Sequence, residues 1–61
     1  MENPIIFTVS LDNSGNYWKI YTEDKRAKCK IKCSSADVPK KMAYISEMYN
    51  NSGFSVLFEV D

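Results

Sequence analysis

From Ala27 to Cys33 the chain alternates without a break. Ala27, Cys29, Ile31 and Cys33 are apolar, whereas Arg26, Lys28, Lys30 and Lys32 before and between them are cationic. Side chains repeat every second residue only on extended backbone, so the pattern predicts a β-strand over residues 25–33. One face of that strand is suited to a core and the other to water or to something negative. Element type, facing and charge sign are constrained together by nine residues.

The remaining segments can be placed around this strand. Ile5, Phe7, Val9 and Leu11 alternate with Ile6, Thr8 and Ser10, which predicts strand one over residues 5–11. Asp12-Asn13-Ser14-Gly15-Asn16 supplies turn residues that tolerate positive φ, and strand two follows over residues 17–22. Ser34 to Pro39 changes the rhythm and reads as a helix start. Asp37 is one candidate N-cap, with Pro39 at the second helical position; Ser35 is the other. Val38, Met42, Ile45 and Tyr49 recur at helical spacing as a single stripe, and Asn50-Asn51-Ser52-Gly53 ends the helix. Phe54 to Val60 alternates again as strand four.

The predicted order β-β-β-α-β is a single α+β domain over residues 1–61, a four-stranded sheet with one helix on one face. A crossover from strand three brings strand four back parallel to strand one, and the order 4-1-2-3 fits best. The expected core side is Phe7, Val9, Leu11, Trp18, Ile20, Cys29, Ile31, Phe54, Val56 and Phe58. A chain this short buries only about 60% of its unfolded surface, so its stability is expected to be a few kcal/mol.

Formal charge is zero but unevenly spread. Residues 1–24 carry −3, residues 25–41 carry +6 and residues 42–61 carry −3, with seven of the eight cations in the middle window. The sequence pI of about 6.2 lies well below the value above 9 usual for a dedicated nucleic-acid domain. Cys29 and Cys33 stand four apart on one predicted strand, about 13 Å, too far for a disulfide that needs Cα atoms within about 7 Å. Two reduced core thiols, no signal-peptide pattern and no apolar run long enough for a membrane span predict a cytoplasmic protein.

Catalytic chemistry finds little to work with. The chain has no histidine, two glycines and no phosphate-cradling loop. No carboxylate pair is set by a motif, and strand parity turns both thiols toward the core and away from the lysines. No catalytic residue, metal site or cofactor is therefore expected, and the chain reads as a binding protein and not an enzyme.

With a single helix, one sheet face stays open. The candidate binding residues there are Tyr17, Lys19, Tyr21, Arg26, Lys28, Lys30 and Lys32, with Ile6 and Leu57 as an apolar pair on neighbouring strands. Cations beside flat aromatic rings suit an anionic partner. The same lysines also protect a sheet edge from aggregation, and tyrosine favours strands in any case. Tyr44 and Met48 share a second helix face and form a smaller candidate patch for a protein, or a helix flank that touches the sheet rim.

The run Gly15-Asn16-Tyr17-Trp18-Lys19-Ile20-Tyr21, the charged turn, Lys28-Cys29-Lys30-Ile31-Lys32 and Pro39-Lys40-Lys41-Met42-Ala43 resembles the layout of the arm-type DNA-binding domains of integrases. That resemblance covers roughly residues 13–50 and implies a sheet laid in the DNA major groove. Strand four, the low pI and Glu23-Asp24 depart from it. Size and layout are also similar to the short host-takeover proteins of bacteriophages, some of which inhibit host RNA polymerase or uracil-DNA glycosylase; that likeness implies a phage or mobile-element regulator. The first expectation is thus a small interaction or regulatory protein docking on an acidic protein surface. Nucleic-acid binding through the same face is the alternative, and a homodimer through the open face or a strand edge is the third reading.

Overall fold

The computed structural model describes residues 3–61. Met1 and Glu2, and with Glu2 one of the acidic charges counted above, lie outside the described residues. β1 (Ile5–Leu11), β2 (Trp18–Tyr21) and β3 (Lys30–Cys33) form an antiparallel meander. The chain then passes through one 3₁₀ turn (Ser35–Asp37) into α1 (Val38–Asn51), and β4 (Val56–Val60) returns parallel to β1. The sheet order is β3-β2-β1-β4, which is the expected 4-1-2-3 read from the other edge.

The core lies where the alternation places it, between the sheet and the helix. Ile5, Phe7 and Val9 of β1, Ile20 of β2 and Ile45 of α1 are the largest buried side chains. Val9, Ile20 and Ile31 form one cross-strand row. The Phe7 ring meets Phe58 of β4 at 5.8 Å and Tyr49 of α1 at 5.7 Å between centroids, tying helix, central strand and edge strand together. Each fully buried side chain of this size contributes roughly 1.5–3 kcal/mol of transfer free energy. The stripe Val38, Met42, Ile45 and Tyr49 all packs on this core, with Ile45 deepest.

The helix ends are set by local chemistry. Val38 is the first residue of α1 and Pro39 sits in the first turn, where a missing N–H costs nothing. Asp37 occupies the N-cap position, yet its carboxylate accepts the Ser34 hydroxyl at 3.3 Å and does not cap the helix amides. At the other end Gly53 has φ +91°, a conformation other residues adopt only with strain. The Phe54 N–H donates to the Tyr49 carbonyl at 2.9 Å and the Gly53 N–H to the Asn50 carbonyl at 3.0 Å. These two bonds are the Schellman pattern, and they turn the chain sharply toward β4.

Several sequence expectations are corrected. The third strand is Lys30–Cys33 and does not begin at Lys25. The Ala27 N–H donates to the Asp24 carbonyl at 3.1 Å, so residues 24–27 close a tight turn. β2 has already ended at Tyr21, because Thr22 turns its hydroxyl onto the Ile6 carbonyl at 2.8 Å, and nothing remains for residues 27–29 to pair with. Strands two and four are likewise shorter than expected, at Trp18–Tyr21 and Val56–Val60. Leu11, expected in the core, is 50% exposed, since it stands opposite Trp18 at the last rung of the β1–β2 pair. Among the described residues no helix is long and apolar enough to cross a membrane.

Candidate docking face

The burial of Ile5, Phe7 and Val9 fixes the facing of their neighbours, so Ile6, Thr8 and Ser10 point to the face without a helix. The register then builds this face row by row. Ile6 stands directly opposite Leu57, 43% and 54% exposed, as the apolar pair that adjacency of strands one and four requires. Glu59, Thr8, Tyr21 and Lys30 form the next row from β4 to β3. Ser10, Lys19 and Lys32 form the row after that. Cationic groups thus gather on the β2–β3 half, and apolar groups and Glu59 on the β4 half.

Like charges directly opposite on neighbouring strands repel, and Lys19 faces Lys32. Asp12 relieves the pair: its carboxylate lies 3.3 Å from the Lys32 ammonium and 3.9 Å from that of Lys19. The Ser14 hydroxyl donates to Asp12 at 3.1 Å, and this bond, with Lys32 adding to it, holds the Asp12 carboxyl below the usual carboxylate range. Lys32 also sits 5.3 Å from the centre of the Tyr17 ring. Two of the expected binding cations are therefore already engaged within the chain. Sequence reasoning missed Asp12, although parity along residues 6, 8, 10 and 12 puts it on this face.

Arg26 is not carried by a strand, although it borders a second hollow of the open face with Ile6, Thr8 and Tyr21. It lies in the turn, where its guanidinium holds the Asp24 carboxylate at 2.6 Å and donates to the carbonyls of Asn3 at 2.8 Å and Pro4 at 3.3 Å. Its Cζ stands 6.0 Å from the centre of the Phe54 ring. The side-chain bond from Arg26, with the Arg26 backbone N–H adding to it, pulls the Asp24 carboxyl down to about 2. Arg26 is thus a clasp between the loop and the segment ahead of β1, carried by the turn and not by the expected third strand.

Lys28 and Lys30 do share the exposed side of their segment, and Lys25 joins them from the turn. None of the three has a carboxylate within 4.0 Å among the described residues. Together with Lys19 and Tyr21 they line an open hollow of about 480 Å³ between β2 and the loop that leads to β3. Lys25 escaped the sequence reading because the turn breaks the parity that would have pointed it inward. Asp24, also on the wall, is engaged by Arg26, whereas Glu23 makes no ion pair among the described residues. Cys29 lines the same hollow half-buried, and burial pushes its thiol pKa up, the opposite of what a nucleophile needs.

No protein-family model, curated protein or solved structure matches the chain. Residue geometry alone therefore speaks for what the face does. The smaller patch is also brought together: Tyr44 and Met48 flank a shallow depression with Glu47 and Asn51 on the outer side of α1. Tyr44 is 60% exposed, and the patch stands apart from the lysine hollow on the other layer.

Proposed function

We propose that this chain is a small non-enzymatic interaction or regulatory protein that docks on an acidic surface of a partner protein. The observation that carries the reading is the trio Lys25, Lys28 and Lys30, which meet no carboxylate among the described residues around a tyrosine-walled hollow, while Lys19, Lys32 and Arg26 are engaged by Asp12 and Asp24. Free ammonium groups at a concave surface raise the on-rate for an acidic partner and penalise a basic one. Ile6 and Leu57, with Tyr17 at the far rim, supply the apolar contact that steering alone lacks. Glu59 and Glu23 on the same face favour a protein partner over a continuous phosphate chain, which would meet both acids.

The test compares poly-glutamate with a single-stranded oligonucleotide as probes, each titrated at about 50 and 200 mM salt. Poly-glutamate is expected to bind the full chain, and the Lys28→Glu/Lys30→Glu variant is expected to lose that binding. No binding of either probe, or an unchanged titration for the variant, removes the lysine hollow from the functional account. Oligonucleotide binding with a log–log salt slope of about −2, without poly-glutamate binding, makes the partner a nucleic acid. A homodimer remains a third reading because the outer edge of β4 carries exposed Leu57 and Val60 and no lysine. Sedimentation at micromolar concentration tests it, and a monomer removes it.

A further inference from the structure

We infer that the acidic partner enters as an extended strand along Lys28–Cys33, adding a fifth strand beside β3. This deepens the docking reading above and rests on it. β3 closes one side of the sheet, so one row of its backbone N–H and C=O groups has no strand neighbour among the described residues. The strand pattern also runs past the paired residues. Ala27, Cys29, Ile31 and Cys33 turn inward, with Ala27 only 5% exposed, while Lys28, Lys30 and Lys32 stay exposed between them. Only residues 30–33 are paired to β2. Lys28 and Cys29 make no backbone–backbone hydrogen bond among the described residues. A segment with the facing of a strand and the pairing of a loop offers its backbone to an incoming chain.

Charge then selects which chain. Ammonium groups at every second position repeat about every 6.6 Å along the edge, which is the spacing of same-face side chains on any strand laid beside it. A polypeptide with Asp or Glu at alternate positions places one carboxylate against each of Lys28 and Lys30, with Lys25 and the hollow at the end of the row. The same lysines reject a second copy joined β3 to β3, since that brings ammonium against ammonium. β4 of a second copy offers one carboxylate, Glu59, at the corresponding face. Edge protection and partner choice thus reside in one set of residues: like-charged edges are excluded and acidic ones admitted. Phosphate chains can meet the ammonium groups, but only a polypeptide can pair with the open backbone groups.

The probe is a synthetic peptide of alternating Glu and Val, titrated into the full chain at low salt while amide hydrogen exchange is followed by NMR. Exchange is expected to slow within Lys28–Cys33 and not along β4. Methylating alternate backbone nitrogens on one edge of the peptide is expected to cost about tenfold or more in affinity, and methylating the other edge to cost little. Both changes lie in the peptide, so the folding of the chain is untouched. If the peptide binds equally with either edge methylated, or protection appears elsewhere, strand addition is overturned while acidic docking stands. If neither this peptide nor poly-glutamate binds, the docking reading itself falls. Slowed exchange on adding an oligonucleotide alone overturns the choice of a polypeptide.

Discussion

Replacing Ile45 by alanine is the sharpest test of the layer arrangement that leaves the lysine face open. Ile45 is fully buried and is the only buried residue of α1. The change removes three carbons, about 2.4 kcal/mol at roughly 0.8 kcal/mol each, plus a term for the space they leave. A loss of about 3 kcal/mol is expected. A 61-residue domain has a total stability of about 3–9 kcal/mol at usual per-residue values, so the variant is left marginal. With a urea dependence of about 1 kcal/mol per molar, the midpoint moves down by about 3 M. The companion variant Tyr44→Ala, on the exposed side of the same helix, is expected to move it by at most about 0.5 M. Urea unfolding followed by Trp18 fluorescence reads both. Equal small shifts for the two variants would refute the seating of α1 on this sheet face, and with it the assignment of which face is open.

Two other outcomes follow from the charges. Asp24 has a folded carboxyl value of about 2, below its unfolded value of about 3.9, so its bond to Arg26 contributes stability that is complete above pH 4 and lost as pH falls toward 2. Thermal melts between pH 5 and pH 2 should therefore fall less steeply for Asp24→Asn than for the natural chain; parallel curves would contradict the clasp. Asp12→Asn releases both Lys19 and Lys32 and adds one unit of positive charge, so poly-glutamate should bind about twofold to fivefold more tightly at low salt. An unchanged or weaker titration would show that the Asp12 pairs do not compete with an acidic ligand.

Parity was the legible part of this chain. It placed Ile6 beside Leu57, put Val9, Ile20 and Ile31 on the same core face, and set the helix stripe of Val38, Met42, Ile45 and Tyr49 over that side of the sheet. The start of α1 at Val38 and the left-handed Gly53 were legible for a similar reason, since proline and glycine restrict backbone in ways that neighbours rarely reverse. The loop before β3 was not legible. The facing of Ala27 to Cys33 is real, but whether facing becomes pairing depends on a partner strand, and β2 ends early through the bond from Thr22 to Ile6. That contact joins residues 16 positions apart. Arg26 misled for the same reason: its partners Asn3 and Pro4 lie more than 20 residues away, and local alternation carries no trace of them.

The Arg26 clasp also has a practical geometry. It holds the backbone of Asn3 and Pro4 beside the lysine hollow, whereas the Asp61 N–H reaches the Val9 carbonyl near the opposite tip of β1. The two ends of the described chain therefore point away from one another, separated by most of a seven-residue strand, about 20 Å. A fluorophore, affinity handle or solid support joined after Asp61 leaves the cationic edge clear. The same attachment ahead of Asn3 crowds the residues whose binding it is meant to report.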